Sequence, residues 1–141
     1  MTNSEVIETW FKRVWAEEDE TAIDDMLVPE TSARGLGGKA HQGPTEFKQF
    51  HRAFLALIGD VNIVIDRQAT DGDWVFSLVT IKATRRRDGV PVEIGGQILV
   101  KIIDGKIVDA HNHIDFMGLF GQLDLLPCDC LDRCLAGEGF A

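Results

Sequence analysis

The second half of the chain contains three Asp-Gly turns, and they constrain the fold more than any other feature. Each turn separates two runs of residues rich in Val, Ile and Thr, and the turns are Asp71-Gly72, Asp88-Gly89 and Asp104-Gly105. An Asp-Gly pair between such runs is typical of a tight β-hairpin. We therefore predict an antiparallel meander of four long strands, over residues 61–69, 74–87, 90–103 and 107–116. Gly95 and Gly96 suggest a bulge or sharp bend inside the third strand.

The first third of the chain has the periodicity of helices instead. Apolar residues at helical spacing form one face of an opening helix, namely Val6, Ile7, Trp10, Phe11, Val14 and Trp15. Thr2 followed by Glu5 fits a capping box at its start. A short helix over 21–27, a short strand and turn within 31–42 and a third helix from Pro44 follow. Helices before a curved antiparallel sheet predict an α+β fold in which the helices pack on the concave face and close a cone-shaped pocket.

Composition and charge disfavour several classes of protein. The 141 residues include 23 acidic and 14 basic side chains, so the net charge is −9 and a nucleic-acid partner is not expected. No apolar run approaches the roughly 18–20 residues of a membrane-spanning helix, so we expect no membrane partner. Charged residues interrupt the N-terminal segment, which does not resemble a signal peptide. We therefore expect a reduced, cytoplasmic setting.

Three ionisable residues alternate along the last predicted strand. Because side chains alternate across a strand, His111, His113 and Asp115 share one face. If that face looks into the pocket, Asp115 can act as a general acid or base. A second interpretation places the three residues on the outer face, with Asn112 and Ile114 pointing inward. A third is a His–Asp hydrogen bond that only orders the end of the strand.

A metal site is a weaker interpretation of the same strand. A His-x-His pair can present two imidazoles to zinc or iron, and Asp115, His41 or His51 can complete such a site. Spacing alone does not place the third ligand, however. We therefore predict neither a metal nor another cofactor.

The three cysteines all lie near the C-terminus, at Cys128, Cys130 and Cys134. An odd number of cysteines argues against a disulfide framework. The paired Cys-x-x-Cys spacing of a thiolate metal site is absent, and no histidine lies among them. We expect these cysteines to be small packing residues within a C-terminal extension, residues 127–141, of a single domain.

Several stretches, in this order, resemble the SnoaL-like polyketide cyclases of the nuclear transport factor 2-like superfamily. The resemblance covers residues 6–126 and includes 43–47 at the start of the third helix and the Asp-Gly-Asp hairpin at 71–73. It is most specific in the closing run, which comprises 104–108, Asp115 and 118–123. The resemblance implies a cone-shaped α+β domain over residues 1–126.

The resemblance also implies a function. In these cyclases the carboxylate before the Gly-Leu element is the acid or base of a cofactor-independent aldol ring closure, and that position is Asp115 here. His113 and His111 are the donors expected to stabilise the oxyanion of a small apolar carbonyl compound. Expected substrate-binding residues are Trp10, Trp15, Phe54, Gln97 and Arg34.

Other functions stay open beside the cyclase. The domain can instead be a non-catalytic module for ligand binding or dimerisation, or less plausibly an epoxide-hydrolase-like enzyme in which Arg34 serves. The chain contains no tyrosine, so sites of the ketosteroid isomerase kind are excluded for an unaided subunit. Apolar residues on the convex face of the sheet predict a homodimer.

Overall fold

The computed structural model describes residues 1–139 and begins with helices, as predicted. The Thr2 side chain accepts a hydrogen bond from the Glu5 backbone N–H at 3.2 Å, so the predicted cap of the first helix is confirmed. The first helix continues into a wider π-helical segment that the periodicity did not indicate. The helical elements are α1 (Asn3–Trp10), the π-helical segment (Phe11–Ala16), α2 (Thr21–Met26), α3 (Gly43–Leu55), α4 (Phe116–Gln122) and α5 (Cys130–Leu135).

A single six-stranded sheet forms the other layer, and its last four strands are the predicted antiparallel meander. The order across the sheet is β2-β1-β6-β5-β4-β3. One pair departs from the prediction, because β1 runs parallel to β6. The strands are β1 (Leu27–Arg34), β2 (His41–Gln42), β3 (Ile58–Asp71), β4 (Trp74–Arg85), β5 (Pro91–Ile103) and β6 (Lys106–Ile114).

The predicted bulge at Gly95 and Gly96 is wrong. Both glycines continue the register with β4, opposite Thr80 and Val79. Gly96 instead provides space, because a Cβ atom there would lie 2.8 Å from Cδ1 of Ile114. The bulge that affects the site lies elsewhere, in β6.

That bulge inserts one extra residue, Val108. On β5, Lys101 and Ile102 are consecutive, but their partners on β6 are Asp109 and Ile107, two positions apart. An extra residue in one strand reverses which face the following side chains occupy.

The helices pack against the inner, concave face of the sheet, and the core lies between the two layers. Its fully buried members come from both layers, including Ile7, Val14, Ile23, Ile58, Val75, Val79, Ile102 and Leu119. The predicted α+β cone with helices on its concave face is therefore confirmed. Within the described residues, no helix is long and apolar enough to cross a membrane.

The C-terminal cysteines divide into two groups. Cys130 is buried at the start of α5, which packs against α4, so its predicted packing role is confirmed. The same prediction is wrong for Cys128 and Cys134, whose side chains are exposed. Across residues 1–139, no three His, Cys, Asp or Glu side chains are grouped in a way that could hold a metal ion.

Candidate functional site

An apolar cavity of about 70 Å³ lies between the helices and the sheet, and we call it the inner cavity. Aromatic rings form its helical side and aliphatic side chains form most of its sheet side. Apart from the two indole N–H groups, Thr31 and Asn112 provide the only polar side chains of its lining within the described chain. No ionisable side chain from that part of the chain lines it. The helical side consists of Trp10, Phe11, Trp15, Phe47, Phe50, Phe54 and Phe116.

The π-helical segment explains how Trp15 faces the cavity. Its wide turn is closed by a hydrogen bond from the Glu17 N–H to the Lys12 carbonyl, five residues back. The carbonyl of Val14 lies 2.7 Å from Nε2 of His51, which is 2% exposed. The His51 ring also meets the Trp15 ring edge-on, at a centroid distance of 5.0 Å. His51 therefore stabilises the wide turn and supports Trp15 from behind.

Both polar side chains of the lining are held by hydrogen bonds. The Thr31 hydroxyl donates to the Ile107 carbonyl at 2.5 Å and accepts from the Val28 N–H at 2.9 Å. The Asn112 amide donates to the Arg34 carbonyl at 2.9 Å. The two side chains therefore fasten β1 to β6 as well as lining the cavity.

A second apolar concavity, the outer groove, adjoins the inner cavity and measures about 410 Å³. Four side chains line both spaces, and we call them the partition: Leu36, Phe50, Phe54 and Phe116. The rings of Phe50 and Phe54 are stacked at 5.4 Å, and Phe116 meets Phe54 edge-on at 6.0 Å. The partition is therefore a layer of aromatic and aliphatic groups between the cavity and the outer groove.

The prediction that His111 and His113 face the pocket is wrong. Ala110, Asn112 and Ile114 face the inner cavity, and the two histidines border a separate depression of about 930 Å³ on the outer face of the sheet. The physical cause is the bulge at Val108, which reverses the alternation after the inward-facing Ile107. The alternative interpretation, with Asn112 and Ile114 pointing inward, is confirmed.

Asp115 also lies outside the cavity lining. Its carboxylate accepts a hydrogen bond from the Gly118 N–H at 2.9 Å and caps α4, and the side chain is exposed. The next residue, Phe116, belongs to the partition. Helix capping explains why an aspartate at this position suits the fold.

The predicted binding residues divide between the two faces. Trp10, Trp15 and Phe54 line the inner cavity, as a binding role requires. Gln97 lies on the outer face opposite His113, and Arg34 is exposed and paired with Asp109 at 2.6 Å. The placement of Gln97 and Arg34 in the pocket is therefore wrong, because both side chains follow the outward alternation of their strands.

Sequence reasoning missed several lining residues. Asn112 was named only within the alternative interpretation, and Thr31 and Leu36 carried no recognised signal. A local signal for Leu36 was the preceding Gly35, which has a φ of +87° and approaches β6 so closely that a Cβ atom would lie 1.8 Å from the Asn112 carbonyl oxygen. Only glycine fits there, so the loop is held against the end of the sheet.

The marked pKa shifts occur at surface ion pairs, away from the cavity. The hydrogen bond from the Thr21 hydroxyl, followed by that from Arg13, lowers the pKa of Asp19. Likewise, the hydrogen bond from Arg85 lowers the pKa of Asp88. These groups stabilise helix and turn geometry and do not contribute to the lining of the cavity.

A model of the SnoaL-like domain family matches residues 7–110, which span most of the chain. The chain belongs to the SnoaL-like family. The match ends at residue 110, before both outward histidines and Asp115. No curated protein gives a significant sequence match to this SnoaL-like chain.

Solved structures support the same fold for the SnoaL-like domain. A candidate SnoaL-like polyketide cyclase from Jannaschia sp. CCS1 is 15% identical, with a TM-score of 0.77 over 89% of this chain and 93% of that one. A candidate polyketide cyclase from Acidithiobacillus ferrooxidans is 18% identical, with a TM-score of 0.78 over 88% and 95%. A hypothetical protein from Catenulispora acidiphila, with a ketosteroid isomerase-like fold and in complex with trimethylamine, is 16% identical, with a TM-score of 0.74 over 89% and 95%. The predicted nuclear transport factor 2-like cone is thereby confirmed.

Proposed function

We propose that this SnoaL-like domain binds a small, largely apolar molecule in the inner cavity. The observation that carries the proposal is the lining itself, which combines aromatic and aliphatic side chains with only Thr31 and Asn112 as polar side chains beside the indoles in the described chain. Small-molecule sites are concave and mostly apolar, with a few polar groups. Offset and edge-on aromatic rings of the kind found here favour a flat ring as ligand.

The size of the cavity adds a condition on binding. A cavity that accepts benzene has a volume of about 150 Å³, and the inner cavity measures about 70 Å³. A ring-shaped ligand therefore needs the partition to move toward the outer groove, which offers about 410 Å³. We propose that binding joins the two spaces.

Indole N–H signals in an NMR titration with p-xylene test this function. The chain has three tryptophans, and two of them, Trp10 and Trp15, line the cavity. Trp74 lies on the outer face and serves as the internal control. We expect saturable shifts for Trp10 and Trp15, an unmoved Trp74, and loss of binding when Ala110→Leu fills the cavity. No saturable shift, or a shift of Trp74 alone, contradicts the proposal.

We propose ring closure of a carbonyl compound as a second candidate function. Two observations favour it: structural relatives are candidate polyketide cyclases, and Asp115 directly precedes the partition residue Phe116. Asp115 would act as the acid or base, without a cofactor, after its carboxylate leaves the Gly118 N–H.

The variant Asp115→Asn tests this chemistry because asparagine also caps helices. We expect the variant to keep its fold and to lose turnover of polyketide-like carbonyl substrates. An unchanged rate contradicts the catalytic role and leaves ligand binding as the function. The cytoplasmic setting inferred from the sequence stays a prediction.

We also propose that a second copy of the chain covers the outer face. Phe76 and Leu78 are 45% and 42% exposed there, beside the depression bordered by His111 and His113. Sedimentation at micromolar concentration should give a dimer, and Leu78→Glu should give a monomer. Met117→Glu, at an exposed position outside this face, is the matched control. A monomeric wild-type protein contradicts the proposal.

A further inference from the structure

One histidine continues the row of inward-facing residues to the edge of the sheet. His41 on β2 pairs with Ala33 on β1, and Ala33 pairs with Ala110 on β6. Directly opposed residues in a sheet share a face, and both alanines line the inner cavity. The His41 side chain therefore lies on the cavity side of the sheet, at the end of a row of small residues.

A buried atom of His41 has no partner. Its Nε2 is inaccessible to solvent and makes no hydrogen bond within residues 1–139. An unpaired buried polar atom destabilises a fold, so its presence calls for an explanation. The buried His51 differs, because its Nε2 lies 2.7 Å from the Val14 carbonyl oxygen. His111 also has a polar contact, to Arg34 at 3.4 Å.

The ring of His41 lies beside one ring of the partition. Its centroid lies 5.8 Å from that of Phe50, at an interplanar angle of 39°. Phe50 lines the inner cavity and the outer groove, so it belongs to the partition that a ring-shaped ligand must displace. Phe50 is therefore the partition residue through which a ligand in the cavity would reach the His41 ring.

We propose that His41 is the hydrogen-bonding residue for the cavity ligand, and that the ligand is an apolar ring carrying one hydroxyl or carbonyl oxygen. This inference rests on the proposed binding function. In neutral imidazole, Nε2 accepts a hydrogen bond from a hydroxyl in one tautomer and donates to an oxygen in the other. The ligand oxygen satisfies the buried nitrogen while the ring contacts the tryptophans and phenylalanines.

Two probes of the same shape test the inference, namely p-cresol and p-xylene, titrated by NMR into the full-length protein. We expect His41→Leu to weaken p-cresol binding about 3- to 10-fold, the range for one lost hydrogen bond. The affinity for p-xylene should stay within about 2-fold. Gln42→Leu is the matched control, because Gln42 is the other residue of β2 and its exposed amide contacts Ser32 instead. It should leave both affinities unchanged.

A thermal melt separates this role from a structural one. His41→Leu removes an unpaired buried nitrogen, so the melting temperature should not fall, and His41→Gln should retain p-cresol binding within about 3-fold. If the leucine variant does not fold, His41→Met replaces it.

The outcomes also separate this inference from the function on which it rests. Binding of both probes with a p-cresol affinity that His41→Leu does not change selectively overturns the inference alone. Failure of the wild-type protein to bind either probe overturns the binding function and the inference together.

Discussion

The inner and outer faces of the sheet are made from neighbouring residues of the same strands, and they differ in chemistry. Around Asn112, the inner lining is apolar, whereas the outer face carries His111 and His113. On that outer face the Trp74 ring lies 6.1 Å from the His111 ring and 5.9 Å from the Lys101 ammonium nitrogen. The difference shows that a shift of one residue along β6 decides whether apolar or ionisable side chains face the pocket.

Insertion of one alanine between Asp109 and Ala110 should break this difference and have the largest effect. Because the insertion lies after the bulge, strict alternation would turn His111 and His113 toward the core. We expect loss of the native fold, measured by circular dichroism and NMR spectra. Insertion of one alanine after Gly37, in the exposed loop after β1, is the control and should leave a folded protein. A folded strand-insertion variant with an unchanged cavity would contradict this account.

An adjacent pair of isoleucines measures the energetic contrast between the faces. Ile102 is 1% exposed and Ile103 is 37% exposed. Ile102→Ala should lower the free energy of unfolding by about 2–5 kcal/mol, because it leaves a core cavity. Ile103→Ala should change it by less than about 0.5 kcal/mol. Urea denaturation of both variants checks the pair, and equal losses would refute it.

Thr31 and Ser32 give a polar version of the same test. Thr31 is buried and bonds to backbone groups of Val28 and Ile107. Thr31→Val leaves these groups without their partner, so we expect a loss of about 1–3 kcal/mol in the free energy of unfolding. Ser32→Ala on the outer side should cost less than about 0.5 kcal/mol. Denaturant unfolding curves of both variants measure these free energies. A larger loss for Ser32→Ala than for Thr31→Val would contradict the assignment of the two faces.

Two variants of Asp115 test whether its capping of α4 contributes to stability. Asp115→Ala removes the hydrogen bond to the Gly118 N–H and should cost about 1 kcal/mol in the free energy of unfolding. Asp115→Asn should cost little, because asparagine caps equally well. Thermal melts compare the two variants, and equal losses in both would show that charge rather than capping is responsible.

The smallest effect concerns Asp19, at the surface of the helical layer. Its pKa lies below the ordinary value of 3.8, chiefly because the Thr21 hydroxyl and then Arg13 donate hydrogen bonds to it. The ionised carboxylate therefore stabilises the fold above pH ~4, and this stabilisation is lost as the pH falls through the lowered pKa. Asp19→Asn should lower the melting temperature at pH 6 and have less effect near pH ~2.5. A difference that grows in acid would contradict the sign.

Most of the architecture could be predicted from local patterns in the sequence. The Asp-Gly turns predicted the meander correctly, since Asp104 and Gly105 have positive φ angles of 50° and 75°, as tight hairpins require. The Thr2 cap and the helix that begins near Pro44 could also be predicted, because each depends on residues close together in the sequence. The parallel pairing of β1 with β6 could not be predicted, because it joins residues that are far apart in the sequence.

The candidate site was harder to predict than the fold. Helical periodicity correctly identified three lining residues, because the π-helical segment does not move them away from the cavity side of the helices. They are Trp10, Trp15 and Phe54. The histidines were misplaced because the bulge at Val108 has no glycine or other sequence marker. The role of His41 depends on cross-strand pairing with Ala33, which no short stretch of sequence reveals.

The extra residue Val108 has a consequence for comparing relatives of this chain. A relative that lacks this extra residue would still present the same set of side chains to its cavity, because the bulge absorbs the difference of one residue in length. An alignment that places the gap after the bulge would then pair lining residues of one protein with surface residues of the other. A codon gained or lost between Asp109 and Ile114 would, in contrast, exchange the two sets of side chains without a single substitution inside the pocket.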